Sequence, residues 1–150
     1  MKVVIQRVLE AGVKIDGRVH ASIGKGLLIL IGIGFEDTEE DIEWLSGKIC
    51  NLRIFDDENG VMNRSVREAG GEILAISQFT LLARVKKGNR PSYIDAAKPE
   101  ISVPLYEKFA EVLNQEMAGK VKTGIFGADM KVSLINDGPV TILMDSKHRI

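Results

Sequence analysis

A chain of 150 residues, 45% hydrophobic and 27% charged, is long enough to bury about 70% of its unfolded surface as one domain. Its net charge of −1 supplies no overall field for nucleic acid, so any such contact has to come from a local basic patch. The single cysteine, Cys50, excludes an internal disulfide and a cysteine-rich metal site, and points to a reducing, cytoplasmic setting.

The first residues, Met1 to Arg7, meet polar side chains too early to form a signal-peptide core. The longest uncharged run, Gly26 to Phe35, falls well short of the roughly 20 residues of a membrane helix, so no membrane contact is expected. Val3-Val4-Ile5 opens as a strand. Val13-x-Ile15 then alternates into Asp16-Gly17, a type I′ hairpin signal, with Val19-x-Ala21-x-Ile23 returning. Gly26 to Ile31 is a continuous apolar run, expected as a central strand buried on both faces.

Thr38 reads as the N-cap of a helix, with Glu39, Glu40 and Asp41 set against its positive end. Ile42, Leu45, Ile49 and Leu52 follow as one apolar stripe, so the acidic run is expected to be a solvated first turn. Asp56 to Gly60 is turn chemistry. A second helix is expected from about Val103 to Met117, where Tyr106, Phe109, Leu113 and Met117 share a face and Gly119 provides a stop. Met130-x-Val132-x-Leu134, Asn136-Asp137-Gly138 and Val140-x-Ile142-x-Met144 read as a closing hairpin, with a loose tail from Lys147 to Ile150. The expectation is an α+β fold: one domain over residues 1–150, with a curved or barrel-like, mostly antiparallel sheet and two main helices.

Residues suited to common catalytic devices are scarce. There are two histidines, His20 in an edge hairpin and His148 in the tail, and neither position suits a Ser/His/Asp arrangement. Glycine-rich phosphate loops and metal-ligand spacings are absent, so no cofactor and no metal is expected. That leaves Ser77-Gln78-Phe79-Thr80, at the end of the apolar run Ile73 to Ile76. It reads as a strand end with Phe79 in the core, or as backbone N–H groups turned into a pocket to bind an oxyanion. Each such donor is worth about 10²–10³ in rate, enough for an activated ester and too little for an amide. Asn136 to Pro139 reads equally as a plain turn before an edge strand. Arg84, Lys86, Lys87 and Arg90 form the one local basic cluster, either a solvated loop or a phosphate-neutralising surface.

Four segments together carry a resemblance: Ser77-Gln78-Phe79-Thr80-Leu81, Lys87 to Ser92, Phe126-Gly127-Ala128-Asp129-Met130, and Asn136-Asp137-Gly138-Pro139-Val140-Thr141. With the opening Val4 to Val8, they resemble the motif set of the D-aminoacyl-tRNA deacylase family over essentially the whole chain. The departures are Leu82 in place of an aromatic residue and Tyr93 in place of a phenylalanine.

The resemblance implies an esterase that removes D-amino acids, and glycine, from mischarged tRNA. It implies a homodimer in which a cis Gly138-Pro139 peptide enters the partner's active site and excludes L side chains sterically. It assigns Arg7 to steadying the Gly-Pro loop, and Phe126 and Met130 to the pocket for the terminal adenosine. Amides of Phe79 and Thr80 would hold the oxyanion, with Ser77 and Gln78 shaping the site. The attacking water would be activated with help from the tRNA 2′-hydroxyl. A nucleophilic Thr80 ranks second, because no base is visible to activate it. An RNA-binding module without catalysis and a tRNA-indifferent small-ester hydrolase remain as alternative readings.

Overall fold

The computed structural model describes all residues 1–150. It contains eight strands and two α-helices in the order β1 (Lys2–Ile15), β2 (Arg18–Ile23), β3 (Gly26–Gly32), α1 (Glu39–Asn51), β4 (Phe55–Asp56), β5 (Met62–Arg64), β6 (Glu72–Ser77), α2 (Pro99–Glu116), β7 (Val121–Thr123) and β8 (Lys131–Asp145). The main sheet runs β2-β1-β3-β6-β7, and β8 lies along β1. The β1 pairings are antiparallel, whereas β3–β6 and β6–β7 are parallel, each joined by a crossover that contains a helix. Lys122 on β7 donates to the carbonyl of Ser22 on β2 at 2.7 Å, so the two ends of the sheet curl together and nearly close a barrel. No helix is long and apolar enough to cross a membrane.

The continuous apolar runs are explained by two cores. Leu27, Ile29, Ile31, Ile73 and Ala75 face the helices, where Ile42, Leu45, Ile49, Tyr106, Phe109 and Leu113 complete the larger cluster. The alternate residues Leu28, Leu74 and Ile76 face the barrel interior with Val8, Ala11, Val13 and Ile23. Strands β3 and β6 are thus buried on both faces, β3 as its run Gly26–Ile31 predicts. The β1–β2 turn has φ +51° at Asp16 and +75° at Gly17, as a type I′ turn requires.

Several local expectations are corrected. β8 is one strand rather than a hairpin: it pairs with β1 from Lys2↔Asp145 to Lys14↔Lys131, and the ladder slips where Asn136–Pro139 pass Arg7. Pro139 has no N–H to give, so these residues bulge out while the continuous β1 edge keeps both flanks on one line. α2 begins at Pro99, earlier than Val103, because a proline in the first turn is already set for a helix. Asp41 is 3% exposed rather than solvated. Its carboxylate accepts from the Thr38 N–H at 2.8 Å and from Lys147 Nζ at 2.8 Å. The tail is tied down as well: Ser146 N–H donates to the Met1 carbonyl at 2.9 Å, and the Arg149 guanidinium lies 4.6 Å over the Trp44 ring.

Candidate active site

β6 ends at Ser77, and one further ladder bond, Gln78 N–H to the Ile31 carbonyl at 2.7 Å, carries the chain to the sheet margin. There the backbone turns into a single 3₁₀ turn, Phe79–Leu82. That turn can sit on β3 because position 32 is glycine: a Cβ there would lie 2.6 Å from Leu82 Cδ2 and 2.8 Å from Leu81 Cβ. From below, the buried Tyr106 hydroxyl donates to the Ala75 carbonyl at 2.9 Å, tying β6 to α2 just before Ser77. Burial pushes the Tyr106 hydroxyl up to about 12, so it stays a donor.

At the start of the turn the N–H groups of Phe79 and Thr80 donate to no acceptor in the protein, whereas those of Gln78, Leu81 and Ala83 are all bonded. The first donors of a helical turn lack partners for a geometrical reason: no carbonyl precedes them at the right spacing. Thr80 Oγ1 accepts from the Gln78 side-chain amide at 2.6 Å, and no histidine, lysine or carboxylate bonds to it. Phe79 is 52% exposed, not in the core, and its ring meets Tyr93 edge-on at 5.0 Å. This corrects the expectation of a buried Phe79, while the strand does end here, at Ser77.

Two cavities flank the segment. One of about 240 Å³ is lined by Ile31, Ile33, Ser77, Phe79, Pro99, Ser102 and Phe126, among others. The second, about 310 Å³, runs from Ile76–Phe79 to Phe126–Met130 and Val132. Phe126 and Met130 therefore share a depression with Ser77 and Gln78. A larger depression, of about 400 Å³ over β1, β2 and β8, contains none of the candidate site residues.

Gly138 and Pro139 lie elsewhere on the same chain. They are exposed, the peptide between them is cis, and they project from β8 opposite Arg7. Arg7 is charged yet 7% exposed. Its Nε donates to the Asp137 carbonyl at 2.9 Å and one terminal nitrogen donates to the Ile54 carbonyl at 2.7 Å. The Asp56 carboxylate lies 3.4 Å from the same guanidinium. A Cβ on Gly138 would come within 3.1 Å of Arg7 and 2.8 Å of Val140 Cγ2, so only glycine fits there. Register places this bulge three strands across and several residues along from Ser77, roughly 20 Å away on strand spacings. One chain does not bring the two halves together.

The basic cluster divides. Arg84 is held by both carboxylate oxygens of Asp95, at 2.5 and 2.6 Å, and its backbone pairs with Ser92, so it fastens the base of the loop. Lys86, Lys87 and Arg90 are exposed and make no ion pair. His20 is exposed on β2, His148 meets only Asp145, at 3.2 Å, and neither lines the two cavities beside Ser77. Sequence reasoning missed Gly32 and Tyr106. Gly32 had only the spacing Gly32-x-Gly34 to signal it, and the Tyr106 bond leaves no local signature.

A family model described as D-Tyr-tRNA(Tyr) deacylase matches residues 4–145. Proteins named D-aminoacyl-tRNA deacylase from Bacteroides thetaiotaomicron and Flavobacterium psychrophilum are 64% and 65% identical to this chain over 149 residues, covering 99% of it and 99% of each relative. Among solved structures, one described as "c-Myc DNA Unwinding Element Binding Protein" aligns with a TM-score of 0.92 at 43% identity, over 97% of this chain and 98% of that one. Another, described as "Structural Analysis of a probable eukaryotic D-amino acid tRNA deacylase", gives 0.83 at 16% identity over 95% and 97%, a likeness of fold alone.

Proposed function

The chain belongs to the D-Tyr-tRNA(Tyr) deacylase family, and from that premise we propose that it hydrolyses the ester bond of D-aminoacyl-tRNA, releasing free amino acid and tRNA. Glycine mischarged on tRNA is a second substrate on this reading, and residues 1–150 act as one catalytic domain. The buried, unpaired Cys50, its thiol pushed up to about 11 by burial, suits a reducing cytoplasm and takes no part in the chemistry.

The observation that carries the mechanism is the pair of unbonded amides. The ester carbonyl sits with its oxygen toward the N–H groups of Phe79 and Thr80, which are fixed before the substrate arrives and meet the charge as it develops. Ser77 and Gln78 shape the entrance, and Phe126 and Met130 line the adjoining depression for the terminal adenosine. Water attacks the carbonyl carbon, with the adjacent 2′-hydroxyl of the substrate assisting its deprotonation. The tetrahedral intermediate then collapses, and the 3′-oxygen leaves with the proton. Thr80 as nucleophile has less support: its hydroxyl accepts from Gln78, and nothing beside it can take its proton.

Chirality is read by exclusion. Gly138 and Pro139 from a second copy enter the cavity beside Ser77, and their carbonyl edge occupies the volume an L side chain needs. The separation of these segments within one chain supports this, as do their exposure and the Arg7 bonds that hold them outward. Lys86, Lys87 and Arg90 lie free to meet the phosphates of the acceptor end, while Arg84 holds their loop in shape.

The Thr80→Ala variant tests the mechanism on D-tyrosyl-tRNA. Single-turnover rates within about threefold of the native protein are expected, since the amide remains and only a hydroxyl is lost. A loss of about 10³-fold or more with tRNA binding intact would make Thr80 the nucleophile.

A further inference from the structure

The bulge at Gly138-Pro139 is held from two directions, and the resemblance accounts for one of them. Arg7 grips its first half, at the Asp137 carbonyl. The second half has lost its place in the β1 ladder: the register passes from Gln6↔Thr141 directly to Val8↔Asn136, leaving Val140 without a strand partner. Its N–H and carbonyl are nevertheless both satisfied, and by a single side chain. Asn136 Oδ1 accepts from the Val140 N–H at 2.8 Å, and Asn136 Nδ2 donates to the Val140 carbonyl at 3.2 Å. The same Nδ2 also reaches Thr141 Oγ1 at 3.1 Å.

The carboxamide thus presents a donor and an acceptor to one residue, as a neighbouring strand would, and ties the two ends of the bulge together. Its ring of bonds encloses Asp137, Gly138 and Pro139, the three residues that project. No other side-chain type of this length offers both groups: aspartate lacks the donor, serine lacks the reach, and leucine lacks both.

We infer that Asn136 is a positioning residue for substrate chirality, its two bonds to Val140 fixing the Gly138-Pro139 carbonyl edge at the end of the bulge that Arg7 does not hold. The inference rests on the reading that this edge excludes L side chains. Exclusion by a clash depends on position, because an edge free to retreat by an ångström no longer occupies the forbidden volume. Loosening the clamp therefore admits the L ester, while the amides that act on the carbonyl stay where they are on the separate β6 turn.

The test is the ratio of kcat/KM for D-tyrosyl-tRNA over L-tyrosyl-tRNA, measured for the native protein, Asn136→Ala, Asn136→Asp and Pro139→Ala, with a thermal melt of each. Asn136→Ala is expected to lower the ratio about tenfold, chiefly through faster turnover of the L ester, as befits one lost pair of hydrogen bonds. Asn136→Asp keeps the 2.8 Å acceptor and loses the donors, so its ratio should lie between native and alanine; it also decides the matter should the alanine variant fail to fold. A folded Asn136→Ala or Asn136→Asp protein with the native ratio, beside a Pro139→Ala protein whose ratio has dropped, overturns the role of Asn136 and leaves the exclusion reading standing. An unaltered ratio in Pro139→Ala removes the exclusion reading itself, and the inference with it.

Discussion

Asp41 carries a negative charge at 3% exposure, and the groups around it define how the protein responds to acid. Burial opposes ionisation, but the Lys147 ammonium, the Ser146 hydroxyl and the Thr38 N–H outweigh it and hold the carboxyl at about 2. Its folded value lies below the unfolded 3.8, so the stabilisation is complete above about pH 4 and is lost as pH falls through 2. Asp41→Asn should remove that part of the acid transition, making stability flatter between about pH 4 and pH 2 in urea melts. At pH 7 the variant should lose about 1–2 kcal/mol, less than for a fully buried pair because Lys147 is 40% exposed. An unchanged acid slope would mean that other carboxylates dominate the transition. The sequence placed Asp41 correctly in a first turn and wrongly in solvent, since its partner lies 106 residues away and local pattern carries no such pairing. The same limit hid Arg7's bonds to Ile54 and Asp137, which only the fold brings within reach.

At the scale of elements, the candidate site depends on how closely the Phe79–Leu82 turn can approach the end of β3. A Cβ at position 32 would stand 2.8 Å from Leu81 Cβ and 3.1 Å from the Gln78 carbonyl, and backbone cannot yield as a flexible side chain does. Gly32→Ala should therefore push the turn outward, costing about 1–3 kcal/mol of stability and lowering kcat on D-tyrosyl-tRNA by about tenfold or more. A stable Gly32→Ala protein with native turnover would show that the turn does not need this seat. Helices α1 and α2 and the doubly buried strands were legible because their periodicity spans many residues. β8 was misread as a hairpin: Asn-Asp-Gly is strong turn chemistry, and only a continuous partner, β1, forces such a segment to remain one strand with a bulge. The basic loop was legible as charge alone, while the engagement of Arg84 by Asp95 required the fold.

For the whole molecule, the governing fact is that the two motif segments lie apart on one chain. β8 has β1 on one side and no strand on the other, and exposes Ile135 and Leu143 at 49% and 74%, with Leu9 of β1 at 53%. A long unpaired edge flanked by apolar side chains is a surface that proteins ordinarily cover. The proposed second copy would cover it and would bring its Gly138-Pro139 segment to the cavity beside Ser77. The absence of a usable histidine, legible from the start, acquires its meaning at this scale under the proposed mechanism, in which pre-aimed amides and the substrate's own hydroxyl would suffice for an ester and specificity would come from shape. The most direct measurement follows the aminoacyl ester on intact tRNA when the protein is incubated with D-tyrosyl-tRNA and, separately, with L-tyrosyl-tRNA. The account predicts release of tyrosine from the D ester and an intact L ester at the same enzyme concentration. Equal hydrolysis of both, or a protein that binds the tRNA and leaves the D ester whole, would contradict it.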